Sequence, residues 1–468
     1  MSRLIVISNR VTAPKARSAA GAQGGLSVAL QAALREYRGL WFGWSGEKTD
    51  HFTGQISMQR EDGVTTATID LEDQDVEEYY NGYANRTLWP LFHYRIDLAE
   101  YDRSFGSGYE RVNQRFAETV APLIEPEDLV WVHDYHLIPL GQQLRQMGLK
   151  NKIGFFLHIP WPPTRLLVSL PFHERLVNSM LDYDVIGFQN EEWLESFRHY
   201  VGHVLGGTIG EDGTITVGER RVRAASFPIG IDYKEFTEAA QSPKAEAAYQ
   251  RLCESVGSKH TIIGVDRLDY SKGLEERFWG YRRFLEEHED CHGNIVLLQI
   301  APPSRGEVHT YETIRERLDE LSGRINGGFA SVDWVPIRYV NQGYPREELA
   351  GFYRASEMAL ITPLRDGMNL VAKEYVAAQD PADPGVLILS RFAGAAAQLH
   401  EALLVNPYSK DEISDAIRQA IDMPLEERQR RWQALHACVR AQDVVWWRRS
   451  FVEALSQVQK RPSLAVAN

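Results

Sequence analysis

Residues Thr261-Ile262-Ile263-Gly264-Val265-Asp266-Arg267-Leu268-Asp269-Tyr270-Ser271-Lys272-Gly273-Leu274 pass from an apolar segment into a polar loop containing glycine, and then into a helix start. The apolar part, Thr261–Val265, is short and has no polar face, which suits a parallel strand covered on both sides. A helical stretch, Glu275–Glu287, follows the loop. Strand, loop and helix in this order make one βα unit. Ligands of open α/β sheets bind outside the carboxyl ends of the strands. Arg267 and Lys272 sit at such an end, beside small residues rather than on a helix face. Arg offers a planar fork and Lys a compact charge to phosphate oxygens, so the loop reads as an anion site rather than a pair of surface salt bridges.

The same alternation recurs on both sides of this unit. Strand candidates are Leu4–Ser8, Leu129–His133, Ile153–His158, Val185–Phe188, Ile295–Ile300, Met358–Thr362 and Val386–Leu389; Thr310–Leu321 and Asp411–Ile421 read as helices. The pattern predicts an α/β protein of doubly wound sheets. Glu211–Arg220 (EDGTITVGER) reads as a hairpin, and Phe227–Asp232 is punctuated by Pro228 and Gly230, which places a domain boundary there. Domains 1–230 and 231–444 follow. Asp443–Gln459 reads as an amphipathic terminal helix and Lys460–Asn468 as a frayed end.

Charge and composition narrow the function classes. The 468 residues carry 51 Lys+Arg against 64 Asp+Glu, a net charge of −13, with 44% apolar and 25% charged residues. That balance argues against a nucleic-acid surface, which needs clustered cations. A small basic pocket for a phosphorylated metabolite remains compatible with it. Apolar runs fall short of the roughly 20 residues of a membrane helix, and Met1–Ser8 is too short for a signal peptide; a cytoplasmic protein without membrane association is expected. Cys253, Cys291 and Cys438 are widely spaced and form neither a disulfide framework nor a zinc ribbon.

Five further segments carry candidate site residues. Ser8-Asn9-Arg10 precedes the glycine-rich Ala19–Leu26, where Gly24-Gly25 suits a phosphate or sugar but not the G-x-G-x-x-G dinucleotide fingerprint. The aromatic set Trp41, Trp44, Tyr79, Tyr80 and Trp89 suits either core packing or a sugar platform. Trp131-Val132-His133-Asp134-Tyr135-His136, with His158 downstream, fits no zinc spacing and reads as a polar strand end, with Asp134 and His158 available to sugar hydroxyls. Pro363–Glu374 (PLRDGMNLVAKE) puts Asp366, Gly367, Met368 and Asn369 before a helix whose N-terminus favours an anion. Leu370 and Val371 open that helix, and Glu374 stands about a turn into it. Pro303-Ser304-Arg305-Gly306 is a second basic loop.

Together and in order, SNR, GGL, WFGWSG, EYYNGYANRTLWP, WVHDYHL, FFLHIP, VDRLDYSKGL, APPSRG, RINGGF and PLRDGMNLVAKEYVAAQD resemble the trehalose-6-phosphate synthase family, family 20 of the retaining glycosyltransferases, from Ser2 to about Phe451. The resemblance implies a GT-B fold of two facing Rossmann-like domains with the active site in the cleft, and a C-terminal helix, 445–468, packing back on the first. It implies transfer of glucose from UDP-glucose, or ADP- or GDP-glucose, to glucose 6-phosphate. Arg10, Tyr80 and Arg305 would grip the acceptor phosphate, Trp44 and Trp89 would wall the acceptor, and Asp134 would bond it near the reacting hydroxyl. Gly25, Arg267 and Lys272 would bind the donor diphosphate. His158 and the turn Asp366–Leu370 would hold the transferred glucose, Glu374 the ribose, and Leu370 with Val371 would lie near the uracil and diphosphate. Asp134, His158, Arg267, Lys272 and Asp366 form the implied catalytic set. No metal and no other cofactor are expected. A homo-oligomer (dimer or tetramer) and a separate trehalose-6-phosphate phosphatase are the expected partners, since the chain ends soon after its terminal helix. A glycerol 3-phosphate acceptor would not need the full aromatic wall, and a non-catalytic sugar-phosphate sensor would be expected to lack one of Arg267, Lys272, Asp366 or Glu374. One departure from the family pattern is Trp161-Pro162-Pro163, where Phe-Pro and then Ser or Thr is commoner.

Overall fold

A computed structural model of the chain describes residues 3–11, 30, 34, 36–61, 63–303 and 309–458. They form two compact units, one of residues up to 228 and from 447 on, the other of residues 229–446. Each is built on its own sheet.

The first sheet contains β1 (Leu4–Arg10), β2 (Leu40–Thr49), β3 (Ser57–Glu61), β4 (Val64–Glu72), β5 (Leu129–His133), β6 (Lys152–Phe156), β7 (Val185–Phe188), β8 (Thr208–Ile209), β9 (Thr214–Val217) and β10 (Arg220–Ser226). Their spatial order is β3-β4-β2-β1-β5-β6-β7-β10-β9-β8. From β4 to β10 the neighbours are parallel. β3, β9 and β8 add antiparallel edges, and the hairpin read over 211–220 covers β9 and the turn into β10 but not the rest of β10. Every residue of β5 and β7 is buried, as parallel strands covered on both faces require.

One cover of this sheet comes from the far end of the chain. Helix Val444–Gln457 places the fully buried Trp447 and Phe451 on Trp131, with ring centroids 4.9 and 4.5 Å away. Gly154 of β6 allows that approach, because a Cβ there would lie 2.7 Å from the Phe451 ring.

The second sheet contains β11 (His260–Val265), β12 (Ile295–Ile300), β13 (Ile337–Val340), β14 (Met358–Ile361), β15 (Val386–Ser390) and β16 (Leu403–Val405), in the order β13-β12-β11-β14-β15-β16. All its pairings are parallel. Ile262, Leu297, Leu360 and Ile388 from its strands pack with Phe278 and Tyr281 of helix Leu274–Glu287 in one core. The direction of winding reverses between β1 and β5 in the first sheet, and between β11 and β14 in the second. Such switch points open a crevice at the strands' carboxyl ends.

Strand expectations hold to within two residues at either end, and the differences are omissions. β2, β3, β4, β8, β13 and β16 carried no strand reading, nor did β10 beyond its first residue, Arg220, and β2 turns out to contain the aromatic segment Trp41–Trp44. The helix expected over 310–321 runs His309–Phe329, because Ser322 and Ile325 continue its buried side past Leu321.

Candidate functional site

At the first switch point β1 ends in Ser8-Asn9-Arg10. Trp41 Nε1 donates to Ser8 Oγ at 2.8 Å, and the Tyr79 hydroxyl donates to Asn9 Oδ1 at 2.8 Å. Residues Val76–Leu88 wind with wide π-helical turns, a form concentrated at functional sites. Within this stretch Tyr79 contacts the end of β1, and its neighbour Tyr80 packs on Trp44 and His136. Tyr80 meets Trp44 edge-on at 5.6 Å and stacks on His136 at 5.9 Å. The exposed Arg10 guanidinium lies over the Trp44 ring, 5.7 Å from its centroid. Trp89 is buried 5.7 Å from the Tyr135 ring.

Asp134 follows β5 with φ 75° and ψ 167°. A non-glycine residue at positive φ is strained, and such strain gathers where a side chain must be aimed. Its amide donates to Phe156 O at 2.8 Å, and its Oδ1 accepts the His158 amide at 3.2 Å. Two neighbouring strand ends thereby fix one carboxylate. His158 in turn lies with Nε2 3.0 Å from His133 Nδ1, and its own Nδ1 is 3.4 Å from Gln189 Nε2. Burial pushes His158 down to about 3 and His133 well below the usual imidazole range. Both rings are neutral at physiological pH, so His158 offers a hydrogen bond without charge.

At the second switch point the exposed Arg267 stands just past β11 and has no ion-pair partner among the described residues. Lys272 Nζ lies 2.6 Å from Asp366 Oδ2. Asn369 Nδ2 donates to the same Asp366 oxygen at 3.1 Å, while Asn369 Oδ1 caps helix Leu370–Ala378 by accepting the Ala372 amide at 3.1 Å. Asn369, at φ 83°, therefore joins the helix N-terminus to the Lys272–Asp366 pair. Gly367 and Met368 lie in the same turn, and Met368 O accepts the Ala395 amide at 2.7 Å. Burial raises Glu374 to about 7, opposed by Arg346 and the Tyr353 hydroxyl.

Of the residues expected from the sequence, Arg10, Trp44, Tyr80, Trp89, Asp134 and His158 collect at the first strand ends. Arg267, Lys272, Asp366–Val371 and Glu374 collect at the second. Gly25 with its loop 19–26, Arg305 with Ser304 and Gly306, and the end 460–468 lie outside the described residues. Among the described residues no cluster of three or more His, Cys, Asp or Glu has metal-site geometry, and no helix is long and apolar enough to cross a membrane.

Over residues 2–457 the sequence matches the family model described as glycosyltransferase family 20. The chain belongs to that family. The trehalose-6-phosphate synthase of Sinorhizobium fredii strain NGR234 is 48% identical to it, over 98% of this chain and all of its own length. The alpha,alpha-trehalose-phosphate synthase (UDP-forming) of Burkholderia xenovorans, solved in complex with glucose-6-phosphate, superposes with a TM-score of 0.93 at 46% identity, over 97% of this chain and 100% of that one. The E. coli structure bound with UDP-2-fluoro glucose gives 0.94 at 42% identity, over 98% and 100%. The two Rossmann-like sheets are those of a GT-B α/β glycosyltransferase of family 20.

Within this family 20 chain, Trp161 is a packing residue. It is fully buried against Phe92, Phe188 and Phe197, at ring distances of 5.4, 6.1 and 5.1 Å. Sequence reading quoted Asn9 and His133 in their segments but gave them no supporting role, and it passed over Gln189 beside His158 and Arg277 beneath Lys272. Arg277 stands four residues after Gly273 in a helix that begins Leu-Glu-Glu-Arg. A polar run of this kind gives no sign that one of its charges points inward.

Proposed function

We propose that this chain transfers glucose from UDP-glucose to glucose 6-phosphate with retention, giving trehalose 6-phosphate and UDP. The observation that carries the reading is the second switch point. Lys272 and a capped helix N-terminus meet there at Asp366, and a second cation, Arg267, stands exposed just past β11 of the same sheet. Breaking the glucose–phosphate bond leaves negative charge on the nucleoside diphosphate. Cations and a helix dipole aimed at that charge stabilise the transition state electrostatically, which is the role a divalent metal plays elsewhere. Gly25 joins them at the diphosphate. Glu374 accepts from ribose hydroxyls, Leu370 and Val371 border the base, and His158 with Asp366–Leu370 holds the transferred glucose.

Arg10, Tyr80 and Arg305 bind the phosphate of the acceptor, and Trp44 and Trp89 flank its ring. Asp134, with Oδ1 already accepting the His158 amide, orients the acceptor hydroxyl, whose proton passes to the leaving phosphate oxygen on the same face of the sugar. In this reading Asp134 positions the hydroxyl and forms no covalent intermediate. The same proposal includes a cytoplasmic homo-oligomer that hands its product to a separate phosphatase.

A donor–acceptor matrix tests the reading: UDP-, ADP- and GDP-glucose against glucose 6-phosphate and glycerol 3-phosphate, each in excess EDTA. Turnover of UDP-glucose with glucose 6-phosphate is expected under all conditions. Turnover with glycerol 3-phosphate alone, or activity lost to EDTA and restored by Mg²⁺, would overturn it.

A further inference from the structure

Beneath Lys272 lies a cation that reaches no solvent. Arg277 is fully buried, yet each of its three guanidinium nitrogens has a partner: Nη1 donates to Asp266 Oδ2 at 2.7 Å and to Gln299 Oε1 at 2.8 Å, Nε donates to Thr362 Oγ1 at 3.0 Å, and Nη2 reaches Lys272 O at 3.5 Å. These partners are the ends of β11, β12 and β14 and the diphosphate loop itself. Gly264 leaves room for the arrangement, since a Cβ there would lie 2.6 Å from Arg277 Nη1 and 2.4 Å from Gln299 Oε1.

The charges alternate. Asp266 pairs with Arg277, and Asp366 pairs with Lys272. The two pairs also sense each other: burial drives the Asp266 carboxyl upward, Arg277 and then Lys272 draw it down, and Asp366 pushes it up. A buried carboxylate stripped of its own cation takes the nearest other one or a proton. Lys272 is the other cation acting on Asp266.

We propose that Arg277 is the positioning residue of the diphosphate site: by neutralising Asp266 and bracing the Lys272 backbone, it keeps the Lys272 ammonium at Asp366 and the helix N-terminus, where the diphosphate of the donor arrives. The inference rests on the donor assignment above and adds a residue that touches no substrate. It differs from simple structural bracing in one respect. If Arg277 acts by neutralising Asp266, removing the Asp266 charge compensates for its loss; if it only ties strand ends together, that removal adds damage.

Calorimetric titration with UDP, together with thermal unfolding, separates these outcomes in the parent, Arg277→Met, Arg277→Lys and the double variant Arg277→Met with Asp266→Asn. Arg277→Met is expected to bind UDP roughly 30-fold more weakly, the scale of a buried charge left alone. The double variant is expected to recover to within about threefold of the parent, and Arg277→Lys to within about tenfold, since it keeps the charge and loses the fork. A double variant no tighter than Arg277→Met, or an Arg277→Met protein that binds UDP as the parent does, would overturn the proposal. Should Arg277→Met alone fail to fold, the double variant carries the test by itself on the same threefold and 30-fold marks, which correspond to about 0.7 and 2 kcal/mol. A parent that fails to bind UDP would remove the donor assignment, and this inference with it.

Discussion

Lys272 and Asp366, 94 residues apart in the chain, share an ion pair of 2.6 Å with side chains only 13% and 14% exposed. The carboxylate holds the ammonium in place but also opposes any anion brought to it. Asp366→Asn keeps the hydrogen-bonding shape and removes the opposition. UDP is therefore expected to bind as well as before or better, while kcat falls by roughly 100-fold, because the lost contact is one used by the reacting sugar. Weaker UDP binding with unchanged kcat would contradict this division of labour; steady-state kinetics and UDP titration read both.

Glu374 supplies a pH dependence. Burial holds its carboxyl up to about 7, far above an exposed glutamate. Ionisation leaves both carboxylate oxygens as acceptors for the two ribose hydroxyls and strengthens both bonds. UDP affinity is expected to fall as pH drops through about 7, by at most about tenfold per unit. The neighbouring Lys373 is pushed down to about 7 by its own burial, so the pH profile alone does not separate the two groups. Glu374→Gln does: it should flatten the profile if Glu374 is responsible, and a profile that survives the substitution assigns the effect elsewhere. His158, neutral above about 3, contributes nothing across this range.

Arg10 is exposed and lies against Trp44, next to Tyr80. Arg10→Ala is expected to raise the KM for glucose 6-phosphate by roughly 10- to 100-fold, the range for losing a charge-assisted phosphate contact. UDP binding should stay within about twofold. An equal loss for both substrates would show that Arg10 does not belong to the acceptor alone.

Trp161→Phe probes the departure from the family pattern. The ring is enclosed by Phe92, Phe188 and Phe197. Shrinking it should lower stability by about 1–2 kcal/mol through the space left behind. Donor preference should not change. A shift in the UDP-glucose to ADP-glucose ratio, measured as kcat/KM, would place the residue in the sugar site after all.

Both sheets were largely legible because their central strands are short, unbroken apolar runs: Leu129–His133, Val185–Phe188 and Ile295–Ile300 were delimited to the residue. β13 (IRYV) and β3 (SMQRE) escaped because their exposed or half-exposed residues break the apolar pattern. The candidate site was legible where polar residues interrupt apolar strand ends, as at Asp134 and Arg267. Its supports were not. His133 and Arg277 act through partners 25 and 85 residues away, His158 and Thr362, and no local pattern in the chain reports a neighbour of that kind.

The terminal helix sets an order of events during synthesis. Trp447 and Phe451 close the face of a sheet whose first strand begins at Leu4. A ribosome must therefore make all of residues 229–446 before the first unit receives its final cover. Until then the faces of Trp131 and β6 that Trp447 and Phe451 cover are apolar surface left open to water, the kind of surface that makes an incomplete fold prone to aggregate.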